Sequence, residues 1–481
     1  MRAHLVIALF IVSLASLAGC SCSTPAGMTR RDGGAAGGDA APEIDASRDV
    51  DGARPPGPDA SEPVDLGFDA RIDRTAFCMG MGPPVLVGDA VTGTMTCAGA
   101  IATRVFNNSV CSCADTNVVG YLRTRSFDSG MGTGETESGA PVGVNRNYLT
   151  GGYADIGGSF VVGGASGVTF GGYLKVGGDA RFAGSITALG YINVARDLWV
   201  LGNVTIPALT VGRDLRQPSG RAVLGFSDVG GDTIRTPFTV EQPCACDPDE
   251  LVDIAAIVAD GRVNNDNDDI SLSPALLTNV VGIGVDITLP CGRFYVDDIG
   301  GLGSITLHVP GRTALFVGGD VNALGVFDVD LGPGGELDLF IAGNLLSIGA
   351  GSYGDRARPA RTRIYVGGSG DVTVVGASGF VGNVYAPYAR VTALGATTVY
   401  GSLFGQRIDM PGYLDVRYDR AILEVGEDCP PPPGGCEMCG GDVCPDRRAC
   451  IGGECASCTS DTDCCPPLVC YPDGTCGSLL I

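Results

Sequence analysis

Between Tyr148 and about Leu215 one short phrase recurs: Gly-Gly-Tyr153-Ala-Asp-Ile156-Gly-Gly, Gly-Gly-Tyr173-Leu-Lys-Val176-Gly-Gly-Asp179, Gly-Tyr191-Ile-Asn-Val194-Ala-Arg-Asp197 and Leu209-Thr-Val211-Gly-Arg-Asp214. It returns as Leu315-Phe-Val317-Gly-Gly-Asp320, Leu339-Phe-Ile341-Ala-Gly-Asn344, Ile364-Tyr-Val366-Gly-Gly and Val384-Tyr-Ala386-Pro. A period near twenty residues belongs to solenoids, in which no repeat buries its apolar face alone and stacking supplies the core. Within each phrase apolar residues alternate, as at Ile192 and Val194 or Leu198 and Val200, which sends one set inward from a strand. The expected fold is all-β: a single-stranded parallel β-helix over 148–428, with a short helical insertion at about 220–298 and a small disulfide-rich C-terminal module.

Seventy-six glycines without a three-residue period read as turn residues between short strands. The net charge of −23 argues against a nucleic-acid partner. Arg2, the apolar run Leu5 to Leu17 and the stretch Leu17-Ala-Gly-Cys20 form an export signal over 1–19. That stretch resembles the bacterial lipobox, which implies lipidation of Cys20, and Ser21 after it resembles an outer-membrane sorting choice. Residues 20–77, rich in Ala, Gly, Pro and Asp, read as a disordered acidic tether.

An exported chain meets an oxidising compartment, so its cysteines read as disulfide partners. Cys78, Cys97, Cys111 and Cys113 fall in 78–147, expected to cap the N-terminal end of the solenoid. The pair Cys111/Cys113 recurs in form as Cys244/Cys246; the loop between two such residues is too tight for them to bond each other, so each should reach a separate partner. Cys291 is a plausible partner for Cys244 or Cys246. After Cys429 and a Pro/Gly hinge over 429–435, the module 436–481 carries Cys436, Cys439, Cys444, Cys450, Cys455, Cys458, Cys464, Cys465, Cys470 and Cys476, too dense for a core and expected to be stapled. The stretch from Cys458 to Cys476 resembles knottin-like, dickkopf and colipase-like modules. Cys22 is left as the odd thiol.

Within the insertion, Leu251, Ile254, Ile257 and Val258 fit a short helix capped by Asp247 or Asp249. The following loop, with Asp266, Asp268 and Asp269, is the one place where oxygen ligands cluster enough for calcium, although it lacks the spacing of an EF-hand and reads first as a turn loop. No other cofactor is expected.

The stretches Gly382-Asn-Val-Tyr385-Ala-Pro, Val399-Tyr-Gly-Ser402 and Leu414-Asp-Val416-Arg-Tyr418-Asp419 resemble the terminal rungs of a β-helical domain of unknown function found in secreted and pilus-associated bacterial proteins. The likeness covers about 150–425. More loosely the chain is similar to bactofilin-type β-helices, and its acidic tether and Cys-rich end resemble outer-surface lipoproteins of myxobacteria and their relatives. None of these likenesses implies catalytic residues.

Some parallel β-helices are polysaccharide lyases or hydrolases, so Asp179, Asp197 and Asp214, with Arg181, Arg196 and Arg213, are the candidates for such chemistry; their recurrence in register with the turns favours corner capping instead. Trp199 and Tyr191 are candidates for stacking on sugar. His308 reads as a surface residue without a task, which removes the commonest general base. The expected role is a non-catalytic, lipid-anchored surface scaffold; the alternative is a glycan- or protein-binding, adhesin-like protein, and after that a calcium-dependent lyase or hydrolase. The expected partners are the membrane through the lipid, a surface glycan or protein, and further copies of the chain through uncapped solenoid ends.

Overall fold

The computed structural model describes residues 74–80, 84–87, 95–98, 102 and 105–426 except 137, 249, 283, 348–350 and 376–379, together with 449–451, 454–459, 468–470 and 476–478. The signal segment, Cys20, Cys22, the tether as far as 73, Cys429, the hinge, Cys436, Cys439, Cys444, Cys464 and Cys465 lie outside the described residues.

Three short strands make one turn. Val142–Val144, Tyr148–Thr150 and Tyr153–Ile156 are followed by Phe160–Val162, Val168–Phe170 and Tyr173–Val176, each lying parallel on its counterpart one turn earlier. Alternation in sequence becomes alternation in space: Val142, Val144, Ala154 and Ile156 point into the coil and stack under Phe160, Val162, Leu174 and Val176. Each such side chain contributes about 1.5–3 kcal/mol on burial, and the result is the expected parallel β-solenoid.

The order of turns along the stack differs from the order along the chain. Val110–Ser112 lies between Val142–Val144 on one side and Leu403 to Gly405 on the other. Thr116–Val118 and Tyr121–Asp128 are likewise sandwiched between the first repeats and the last ones, including Tyr413–Asp419. The chain therefore enters in the middle and winds outward to Val223–Val229 and Thr233–Arg235. It then crosses the outside, re-enters at the opposite end with Val285–Thr288 and Gly292–Val296, and winds back to its own beginning. Two expectations are corrected. Residues 110–128 of the region read as a cap are an interior turn, and the insertion at 220–298 is the last outward strands, a strap, and the first strands of the second half. Any turn presents the same apolar pattern to its neighbour, so periodicity does not fix which turns adjoin. The polar stretch after Arg125 adds a small arm: Thr133–Thr136 pairs antiparallel with Tyr121–Asp128.

The strap runs over one outer face and is stapled there. Cys111 bonds Cys244 and Cys113 bonds Cys246, so the paired cysteines do reach separate partners; Cys291 bonds Cys78 rather than either of them. Position 143 must be glycine for this route, because a Cβ there would lie 2.9 Å from Pro243 and 3.1 Å from Cys111 Sγ. The helix is Ile254–Val263, capped by Asp253, whose carboxylate accepts from Ala256 N at 2.9 Å, rather than by Asp247 or Asp249. Its buried Ile254, Ile257 and Val258, with Phe77, Val105 and Phe106, cover Phe316, Phe340, Tyr365, Tyr385 and Phe404 on the outside of the coil. A second core thus forms outside the first.

In the C-terminal module, Ala449–Ile451 pairs with Glu454–Ala456 and Leu468–Cys470 with Cys476–Ser478, making Cys450 opposite Cys455 and Cys470 opposite Cys476. Cys458 is disulfide-bonded. Cys97 lies in Met95–Ala98, antiparallel to Pro84–Val87.

Within the outer layer, Arg363 is fully buried and grips Asp338 with both ends of its fork, at 2.6 and 2.8 Å, while also meeting Glu336 and donating to Ala360 O at 2.8 Å. Burial pushes the Asp338 carboxyl up even with the guanidinium against it. Removing one partner of such a pair strands a buried charge. Arg363→Ala should lower unfolding free energy by about 3–5 kcal/mol, whereas Arg363→Met with Asp338→Leu should recover most of it. Urea denaturation of the three proteins checks this; equal loss in the single and double variants would contradict it.

Candidate functional site

The recurrent aspartates follow the corners. Asp179 Oδ1 accepts from Asp197 N at 3.3 Å, Asp197 Oδ1 from Asp214 N at 3.0 Å, and Asp214 Oδ1 from Asp232 N at 3.0 Å. The second half repeats the device, with Asp298 accepting from Asp320 N at 2.9 Å and Asp320 from Asn344 N at 2.7 Å. Each carboxylate holds the amide of the next turn, the role that a corner aspartate suits. Of the accompanying arginines, Arg181 lies 4.7 Å from the Trp199 ring centre, and Arg216, which the sequence reading did not single out, lies 5.5 Å from it. Arg181, Trp199 and Arg216 occupy successive turns in register, so the indole sits between two guanidiniums instead of presenting a free face to sugar.

The calcium candidates are not brought together. Asp266 Oδ2 accepts from Arg293 N at 2.7 Å, and Asp269 meets Arg74 Nη1 at 2.6 Å. Asp268 lies in the one-turn helix Asn267–Ile270. Among the described residues no group of three or more His, Cys, Asp or Glu is arranged to hold an ion. The loop does different work. Asp266 N donates to Arg293 O at 2.6 Å, Asn267 Nδ2 donates to Tyr295 O at 2.7 Å, and Asn267 Oδ1 accepts from Tyr295 N at 2.9 Å. These groups satisfy the free edge of Gly292–Val296, while Leu272, Leu277 and Val280 close the core beneath it. The Gly292–Val296 edge at this end of the solenoid is thus covered by Asp266, one of the calcium candidates, and by its neighbour Asn267.

A site that sequence reasoning missed lies at a corner of the first half. A cavity of about 450 Å³ is lined almost wholly by apolar atoms of Val119, Leu149, Gly151, Phe170, Gly171 and Leu189, with Asn117 and threonines beside them. That volume falls within the range of ordinary ligand sites. Val119, Leu149 and Leu189 are 68%, 50% and 86% exposed, so apolar surface is presented to solvent. The corner has two positions per turn, and they differ physically. At the second, a Cβ on Gly120, Gly152, Gly172 or Gly190 would fall 1.4–2.3 Å from the carbonyl oxygen of the turn below. At the first, the same chain carries Val119 and Leu189, and a Cβ on Gly151 would meet Val119 O at 3.7 Å, an ordinary contact. Glycine at 151 is thus not demanded by the stack; its effect is to leave a groove between the Val119 and Leu189 walls.

Beyond this corner runs an aromatic row in register, Tyr413, Tyr121 and Tyr153 across the seam, then Tyr173 and Tyr191, with Ala208 and Phe226 after them. Tyr121 and Tyr413 stack at 5.1 Å and Tyr173 and Tyr191 meet at 4.4 Å, so these rings spend much of their faces on each other. On the opposite flank, Asn117 donates to Asp409 at 2.7 Å, and Asp409 in turn holds Arg407 at 3.1 Å and Arg390 at 3.4 Å. Two half-exposed guanidiniums thus flank one carboxylate on that rim.

Residues 242–425, less than half of the chain, match a family described as a domain of unknown function (DUF7305). The match takes in most of the strap and the whole second half of the stack. No curated protein and no solved structure matches the chain.

His308 is on the surface as expected, but it has a task. Its Nε2 lies 3.0 Å from Asp286 and its Nδ1 3.0 Å from Asp330, one turn to either side. The hydrogen bond to Asp330, reinforced by the charge of Asp286, raises its pKa above 6.5. Because the folded value exceeds the unfolded one, the stabilisation is complete below about pH 6.5 and is lost as pH rises through the raised value. NMR titration of the imidazole should therefore give a pKa above 6.5, and His308→Gln should flatten the pH dependence of stability between about 6.5 and that raised value. A midpoint at or below 6.5 would contradict this.

Proposed function

We propose that this chain is an exported, non-catalytic binding protein, lipid-anchored at Cys20 to the outer membrane, and that the corner groove takes apolar side chains of an extended protein partner. The observation that carries the reading is the glycine at 151, where the backbone accepts a side chain and the groove would vanish if it had one. The lining favours protein over glycan. A pyranose seated there would bury hydroxyls against Val, Leu and Phe without enough partners, at about 1–3 kcal/mol for each unsatisfied group, whereas Leu or Phe from a partner gains by the same burial. The half-exposed guanidiniums of Arg390 and Arg407 suit a carboxylate next to the apolar anchor. The likeness of the closing rungs to domains of secreted and pilus-associated proteins, and of the ends of the chain to outer-surface lipoproteins, fits display outside the cell.

Random peptides displayed on phage and selected on the wild-type protein should converge on an apolar residue beside an acidic one. Gly151→Leu, which meets no backbone closer than an ordinary contact, should keep the fold and weaken the selected peptides at least tenfold, about 1.4 kcal/mol. Gly152→Ala should instead disrupt the stack. Peptides that bind Gly151→Leu undiminished, or a glycan array that binds where peptides do not, would overturn the proposal; the display-scaffold reading predicts neither kind of binding.

A further inference from the structure

The two ends of the solenoid are built differently. At the end formed by Gly292–Val296, Asp266 and Asn267 occupy the strand edge. At the other end, Val223–Val229 pairs only with the turn beneath it, as does Thr233–Arg235, and no described residue covers their far side. Leu224 and Phe226 on that turn are 58% and 70% exposed, and Ser227, in register with the buried Leu209, faces solvent. An edge of unpaired amides and carbonyls is a template for further strands.

We infer that this end is a homodimer interface: two copies meet end to end, related by a two-fold axis, with their terminal turns paired antiparallel. Three observations select a second copy. The edge is a bent turn of short strands, Val223 to Leu224, Phe226 to Val229 and Thr233 to Arg235, which one straight peptide strand can pair along only in part. A second solenoid end matches it side for side. The turn is also electrically balanced, with Arg221 and Arg235 against Asp228 and Asp232, on a chain of net charge −23. Two copies therefore approach here without the repulsion that most of their surface would impose. Finally, at the opposite end the edge of Gly292–Val296 is occupied by Asp266 and Asn267, and only Val285–Thr288 keeps an unpaired side, so the two ends do not match; like end on like end is the pairing that closes at two.

Light scattering on the size-fractionated full chain in detergent should give two protein chains per particle. Leu224→Glu with Phe226→Glu, both at exposed positions, should give one chain with an unchanged circular dichroism melt, whereas Leu189→Glu in the groove should leave the dimer intact. Hydrogen exchange supplies a test that needs no variant: amides of 223–235 should become more protected as protein concentration rises, and those of 292–296 should not. A monomeric wild type, a dimer indifferent to the edge substitutions, particles larger than two chains, or exchange at 223–235 independent of concentration would each overturn the inference.

Discussion

The backbone of a parallel solenoid turn has few hydrogen-bond partners within itself; the turns above and below must supply them. Everything distinctive about this chain follows from how it meets that demand at places where a neighbour is not automatically provided. By entering in the middle, the chain leaves its first turn with two waiting edges and its last turn with one. The seam between Tyr121–Asp128 and Tyr413–Asp419 joins segments almost three hundred residues apart in sequence. The domain of unknown function that matches 242–425 stops at that seam. What stacks upon it is the N-terminal half of the same chain, so this protein completes the matched half with turns of its own.

The strap is the cost of that arrangement, since a chain leaving one end of a stack must travel its length to re-enter at the other. Its path is fixed by covalent bonds near the seam, at Cys111–Cys244 and Cys113–Cys246, and by a third bridge at the far end, Cys78–Cys291. Between those points its helix turns an outward face that would otherwise present a ladder of Phe and Tyr into an interior. Elsewhere in this outer layer the fully buried Arg363 and Asp338 are paired because burial leaves them no water.

The repeat period and the alternation of Val, Leu and Ile made the β-solenoid and its corner aspartates legible from the letters, since inward side chains and turn amides impose the same spacing in every turn. Stacking order was not legible, because Val142-Gly-Val144 would sit as well on Val162 as on Val110. The helix was readable from Ile254, Ile257 and Val258, but its start lay later than Asp247 or Asp249 suggested because Leu251 and Val252 belong to the strap's approach. The loop at Asp266, Asp268 and Asp269 was legible as a polar turn, but its partner was not: oxygen-rich side chains suit a cation and a strand edge alike, and the contacts of Asp266 and Asn267 with Arg293 and Tyr295 emerge only in three dimensions. Cys291 could not be matched with Cys78 before the strap's route was known.

The groove was the least legible feature, and the cause is instructive. Gly151 and Gly152 are the same letter in adjacent positions, yet a Cβ on Gly152 would fall 1.8 Å from the Gly120 carbonyl oxygen, while one on Gly151 would meet the Val119 oxygen at an ordinary 3.7 Å. Positions of the second kind are outside both cores, so their side chains can change without altering the stack beneath. Val119, Gly151 and Leu189 belong to such a column, with Gly171 held more closely, since a Cβ there would lie 3.0 Å from the Gly151 oxygen; the sizes of successive residues set the walls and floor of a cleft while the column of glycines beside it keeps the turns in contact. A solenoid built this way separates what holds it together from what it offers to a partner, and the contour of the corner column can be retuned for a different partner without reopening the problem of the fold.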